Sequence, residues 1–239
     1  MLVSHRKKFI FTKTLKTAGT SVEVYFEKYC FPEDHDWEME HAREQYVSET
    51  GIVGFRGVDP GDSEYVHHMP ALQLKQKLGD EIWDSYFKFS VIRNPFDRLI
   101  SAFYHFEVSR NIEKYQGSEL DYVALFRQWL QTGKMPVDRS VYMIQGEVCV
   151  DFLIRYENLL DDLKAVCEKL DVPFVDSEIP RLKTNTRKNN IPIAEYYDSE
   201  SIDFVEQKFG LEIREFGYEK PNSKQAAWAN RYWKEVEGS

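Results

Sequence analysis

Short apolar runs that each lead through a polar loop into an amphipathic helix constrain this chain more than any other feature of its sequence. Lys8 to Thr12 (KFIFT) has the length and aromatic content of a buried strand, and a Lys/Thr/Gly stretch separates it from Ser21–Phe26, which can begin a helix. Tyr86 to Ile92 (YFKFSVI) alternates like a strand and stops at Arg93-Asn94-Pro95. Asn94 can cap and Pro95 can open the next helix, whose apolar face is Leu99, Ile100, Phe103 and Phe106. Phe152–Tyr156 reads as a third strand and Leu159–Leu170 as the amphipathic helix after it; Pro70–Leu78, ending at Gly79, and Leu120–Leu130 read as further helices. Strands and helices alternating at this spacing predict an α/β fold with a central, mostly parallel sheet of about five strands flanked by helices. The 239 residues suit one domain spanning 1–239. Between the first helix and His67 the chain is acidic, polar and turn-rich, and reads as a surface excursion that could wall an acceptor site.

The formal net charge of −9 argues against general binding to nucleic acid or anionic membrane, so any anion site has to be local. Cys30, Cys149 and Cys167 are widely spaced and odd in number, which points to neither a disulfide framework nor a zinc site. A reducing, cytoplasmic setting fits that usage, although a lumenal domain cut from its anchor would read the same. No apolar run approaches the eighteen or so residues of a membrane span. The fourteen Tyr, sixteen Phe and five Trp serve core and pocket walls, or a stacking surface for a base or sugar.

Two segments carry chemistry. Lys16-Thr17-Ala18-Gly19-Thr20-Ser21 lies between a predicted strand and a predicted helix. Backbone N–H groups at a helix start point outward, a small Ala-Gly pair lets an anion approach them, and hydroxyls and a lysine add donors and charge. The segment is therefore a phosphate cradle or an ordinary turn, and it does not meet the G-x-x-x-x-G-K-[ST] pattern of nucleotide triphosphatases. In the second segment Arg93 leaves a strand end and Ser101 lies on the following helix, so both can reach one phosphate.

Together the two segments resemble the nucleotide-binding motifs of sulfotransferases that use 3'-phosphoadenosine 5'-phosphosulfate (PAPS), closest to the carbohydrate, Golgi-type "family 2" enzymes. Arg155-Tyr156-Glu157-Asn158-Leu159-Leu160 resembles a third element of that superfamily. Leu15 stands where the family usually has proline. The resemblance implies a P-loop-like sulfotransferase fold, PAPS as donor, the bisphosphate PAP as product, no metal, and a small-molecule or glycan acceptor. It places Lys16 at the bridging oxygen of the leaving phosphate, Thr17, Gly19, Thr20 and Ser21 around the 5'-phosphate with Ala18 in the same loop, and Arg93 and Ser101 at the 3'-phosphate.

An acceptor hydroxyl needs a base, and His68 is the first candidate, with His67 second and His105 and Glu23 weaker. The family places a catalytic histidine upstream of the same strand and helix. Arg181–Asn190 is a basic run in an otherwise acidic chain; it suits a solvated loop, and the resemblance turns Lys183, Thr186, Arg187 and Lys188 into nucleotide contacts. A nucleotide-dependent kinase and a silent nucleotide- or glycan-binding module are the alternatives, the first opposed by the missing Lys-Ser/Thr pair after Gly19.

Overall fold

The computed structural model of the protein describes residues 1–111, 121–180, 182 and 190–221. Two compact units are distinguished, Met1–Ile92 with Asp138–Leu182, and Arg93–Val137 with Lys183–Ser239.

The first unit is built on a six-stranded sheet. In chain order its strands are β1 (Leu2–Ser4), β2 (Phe9–Thr12), β3 (Tyr46–Ser48), β4 (Gly51–Val53) and β5 (Phe87–Ile92), with β8 (Phe152–Arg155) following a two-stranded hairpin of β6 (Met143–Ile144) and β7 (Glu147–Val148). The spatial order is β3-β4-β1-β2-β5-β8. Strands β2, β5 and β8 run parallel, as the repeated strand, loop and helix units require. The expectation of a mostly parallel sheet of about five strands is corrected: β1 pairs antiparallel with both β2 and β4, and β4 with β3. The reading of the segment between the first helix and His67 as surface excursion is corrected with it, since Gly51–Arg56 is buried. The added strands have three residues each, too few for alternation to show in sequence.

Period-two alternation sends β-sheet side chains to two separately covered faces. Leu2, Phe11 and Phe89 share one face by register. There the helix α1 (Gly19–Glu27) inserts Phe26, whose ring lies 5.8 Å from Phe9 and 5.2 Å from Phe89. All nine residues of α1 are buried. Val3, Ile10 and Ile52 line up across the other face and pack with Leu74 of α2 (Ala71–Leu78) and Trp83 of α3 (Asp80–Ser85). Gly79, at φ 80°, makes the break between those two helices that a Cβ would strain. Helix α6 (Leu159–Lys169) follows β8, and Asp162 secures the junction by accepting from Arg155 N at 2.7 Å and Asn158 Nδ2 at 2.8 Å.

The second unit is helical. Its first helix, α4 (Pro95–Phe103), starts as the sequence predicts: Asn94 Oδ1 accepts from Phe96 N at 2.9 Å and proline occupies the first turn. A π-helical turn, Tyr104–Val108, continues it. Leu99, Ile100 and Phe103 are fully buried against Phe126 and Trp129 of α5 (Tyr122–Gln131), Tyr196 of α7 (Ile193–Tyr196) and Phe209 of α8 (Ser199–Glu215). Tyrosine hydroxyls inside this cluster are satisfied, Tyr104 with Tyr196 at 2.9 Å and Tyr197 donating to Phe96 O at 2.7 Å. Among the described residues no helix is long and apolar enough to cross a membrane.

Candidate active site

The loop from Lys13 to Ala18 is held from several directions. The Thr14 hydroxyl donates to Val91 O on β5 and sits 2.8 Å from the Thr17 hydroxyl, which ties the start of the loop to the sheet and to its own apex. Ser90 Oγ donates to Thr12 O at 2.8 Å one residue before the loop begins. Leu15 N donates to Asp138 Oδ2 at 2.6 Å. Within this frame Lys16 and Ala18 take φ of 60° and 62°, a left-handed conformation that costs non-glycine residues roughly 1 kcal/mol each. The alternation turns the chain tightly into α1, where Ala18 O accepts from Ser21 N at 2.9 Å and Val22 N at 3.2 Å.

Helix α1 begins with no side-chain cap from the described residues. Its first N–H groups carry the positive end of the helix dipole, the arrangement that binds oxyanions. Gly19 is closely surrounded: a Cβ there would meet Lys13 Cγ at 3.0 Å and Thr14 O at 3.2 Å. Thr17, Thr20 and Ser21 are buried, and Ser21 Oγ accepts from Leu182 N at 3.4 Å.

The structure brings His68 to the foot of this loop. His68, at φ 61°, is partly buried, and its Nδ1–H donates to Lys13 O at 2.7 Å. Burial first, then the Lys13 ammonium and the neighbouring His67, push its pKa down to about 3. The ring is therefore neutral near pH 7, with Nδ1 protonated and Nε2 carrying the lone pair. His67 lies beside it, rings 4.7 Å apart, and is tied back by His67 N donating to Phe55 O at 3.0 Å.

A buried charge network that the motifs did not reveal lies behind the loop. Glu23 and Glu27, one turn apart on α1, are both fully buried. Lys13 Nζ reaches Glu23 at 2.6 Å, Arg56 reaches Glu23 at 3.1 Å and Glu27 at 2.8 Å, and Arg43 reaches Glu27 at 3.1 Å. Burial alone would raise the Glu23 pKa, but Lys13, the Met1 ammonium and Arg56 together hold it well below the usual carboxylate range. Glu23 is thus an ionised partner of these cations within the fold. Asp138, like Lys13 and Arg56, is a residue the sequence reading missed; no local pattern marks any of the three, because their partners lie ten to 123 positions away.

Arg93, Ser101 and His105 belong to the second unit, whereas Lys16 and His68 belong to the first. Arg93 Nε donates to Asp97 Oδ2 at 2.7 Å, and Asp97 is buried. Arg93, Asp97 and Ser101 follow one another at four-residue steps, and Asp97 pairs with Arg93 across the first of them. His105 stands in the π-helical turn against Phe106. Lys183, Thr186, Arg187 and Lys188 lie outside the described residues.

The family model described as "Sulfotransferase family" matches residues 1–219. An uncharacterized protein of Archaeoglobus fulgidus is 26% identical over 105 residues, which cover 44% of this chain and 84% of that protein. No solved structure matches at a significant level. With a helix-flanked sheet, a loop that turns tightly into a buried helix, and a family match over nearly its whole length, this chain belongs to the sulfotransferase family and is a transferase of the family 2 type.

Proposed function

We propose that the protein moves the sulfuryl group of PAPS to a hydroxyl of a carbohydrate acceptor. The observation that carries this reading is the loop Thr14–Ser21, which leads into the start of α1 where no side-chain cap from the described residues occupies the first N–H groups, with His68 hydrogen-bonded to Lys13 O at its foot. Donors fixed in advance by the fold need no reorganisation when charge develops, which is how such a loop lowers a barrier.

In the proposed reaction the acceptor O–H bond breaks and its proton passes to His68 Nε2. The acceptor oxygen forms a bond to sulfur, the bond from sulfur to the bridging oxygen breaks, and its electron pair leaves on the 5'-phosphate of PAP. Lys16 neutralises that growing charge, so its ammonium stabilises the transition state more than the ground state. The backbone and hydroxyls of Thr17 to Ser21 hold the 5'-phosphate. Arg93 and Ser101 take the 3'-phosphate, with Lys183, Thr186, Arg187 and Lys188 assigned to the nucleotide. His67 stands as second base candidate. In this reading residues 1–239 make up a single sulfotransferase domain.

Calorimetric titration with 3',5'-adenosine bisphosphate, without magnesium, tests the donor assignment. Binding of the bisphosphate in preference to magnesium ATP is the expected result. Preference for magnesium ATP points to a kinase, and binding of the bisphosphate without transfer to any of a panel of sugar hydroxyls points to a silent module.

A further inference from the structure

The peptide that joins Thr14 to Leu15 is defined at both of its ends. Its N–H donates to Asp138 Oδ2 at 2.6 Å. Its carbonyl, Thr14 O, lies 3.4 Å from the Thr17 hydroxyl and against Gly19, where an added Cβ would come to 3.2 Å from it. A peptide group is planar, so a rotation that turned this N–H away from Asp138 would also swing Thr14 O out of its place against Gly19. Lys16 follows in the left-handed conformation and Ala18 repeats it. Left-handed residues in a loop turn successive N–H groups toward one side, where an anion can be met.

Asp138 is anchored independently of the loop. Its own carbonyl accepts from Val141 N at 3.0 Å where a 3₁₀ turn (Arg139–Val141) begins, and Tyr142 O accepts from Cys149 N at 3.0 Å just beyond. Val141, Tyr142 and Asp138 itself are buried, so water competes little for the Leu15 N–H. A residue with a Cβ leaves the left-handed conformation unless its surroundings hold it there. Thr14 is tied to the sheet through its hydroxyl on Val91 O, and Leu15, next to Lys16, is tied through its N–H to Asp138.

We propose that Asp138 is a positioning residue for Lys16: by fixing the Thr14–Leu15 peptide, its carboxylate holds Lys16 and the N–H groups after it in the geometry that receives the leaving phosphate. The proposal rests on the reading of Lys16 as the group at that phosphate. Asp138 acts through the backbone alone, so its effect should vanish once Leu15 has no N–H to give. Proline is the replacement that removes that donor.

A double-mutant cycle on the full-length protein, read by titration with 3',5'-adenosine bisphosphate and by nuclear magnetic resonance, tests this. Asp138→Ala and Leu15→Pro should each weaken bisphosphate binding by about tenfold or more, whereas adding Asp138→Ala to Leu15→Pro should cost less than about twofold further. Losses that multiply in the double variant overturn the proposal. Without nucleotide, a strong through-space signal between the Lys16 N–H and its own Hα, the mark of a positive φ, is expected in the wild type. Asp138→Asn should keep that signal and Asp138→Ala should lose it; a signal that Asp138→Ala leaves unchanged also overturns the proposal. If Leu15→Pro does not fold, these spectra decide. The reading of Lys16 fails separately, if Lys16→Ala keeps full sulfuryl transfer while the spectra stand as expected.

Discussion

The backbone N–H of Leu15 and the carboxylate of Asp138, 123 residues apart in sequence, meet at 2.6 Å. A charge-assisted bond to a largely buried carboxylate contributes about 1.5–3 kcal/mol, and here it restrains a loop that already carries two left-handed residues. Asp138→Ala should lower the melting temperature and weaken bisphosphate binding by about tenfold or more, since 1.4 kcal/mol is a factor of ten. Asp138→Asn keeps an acceptor oxygen and should recover most of both. Bisphosphate affinity unchanged in Asp138→Ala would show that the loop holds its shape unaided.

The two small residues beside Lys16 should respond in opposite directions. Ala18 sits at φ 62°, where glycine is free of strain, so Ala18→Gly should cost no stability and can add up to about 1 kcal/mol. Gly19→Ala brings a methyl to 3.0 Å from Lys13 Cγ and 3.2 Å from Thr14 O, and should destabilise by about 1–3 kcal/mol while impairing anion binding. Urea unfolding of the two variants with and without the bisphosphate separates the effects.

Lys16 and Arg93 should divide between turnover and binding. Lys16→Ala should reduce kcat by roughly a hundredfold or more with the fold intact, the signature of a group that acts on transition-state charge. Arg93→Ala should chiefly raise the dissociation constant for the bisphosphate, and much less for 5'-adenosine monophosphate, which lacks the 3'-phosphate. Asp97→Asn should show a weaker version of the Arg93 effect, because it releases the guanidinium held at 2.7 Å. An equal loss for both nucleotides in Arg93→Ala would place the arginine elsewhere than at the 3'-phosphate.

Acidification should destabilise the protein in two separable steps. The folded-state pKa of His68 is depressed to about 3, so only the unfolded chain takes up this proton below the ordinary histidine value of 6.5. Stability from this group is complete above pH 6.5 and declines as pH falls toward 3, by at most about 1.4 kcal/mol per pH unit. Glu23 is depressed as well, against its burial, by Lys13, the Met1 ammonium and Arg56. Its contribution is complete above the ordinary value of 4.5 and is lost below it. Melting temperatures of wild type and His68→Gln should therefore diverge between pH 6.5 and 4.5, the wild type falling more steeply, and both should drop below pH 4.5.

What the sequence disclosed follows from the range of each interaction. The β2, loop and α1 unit and the Asn94-Pro95 helix start are encoded within a dozen neighbouring residues, and they appear where the pattern puts them. The His67-His68 pair could be flagged by residue type, but that His68 is the one hydrogen-bonded to Lys13 O depends on a contact 55 positions away. Lys13 itself sits in a Lys/Thr/Gly stretch that carries no local mark of burial, and its pairing with Glu23, ten positions on, shows why it is buried. The antiparallel half of the sheet was hidden because Leu2–Ser4, Tyr46–Ser48 and Gly51–Val53 are strands by virtue of their partners alone.

Every residue of helix α1 from Gly19 to Glu27 is buried. Dissolved ions weaken a field only where they can gather, and along this helix they find little room to do so. Its two internal carboxylates are already matched by Lys13, Arg56 and Arg43, so they do not cancel the pull of its first turn. The attraction that the Gly19 end exerts on an anion is consequently set by the protein's interior, and changes of ionic strength act on it only from the open side.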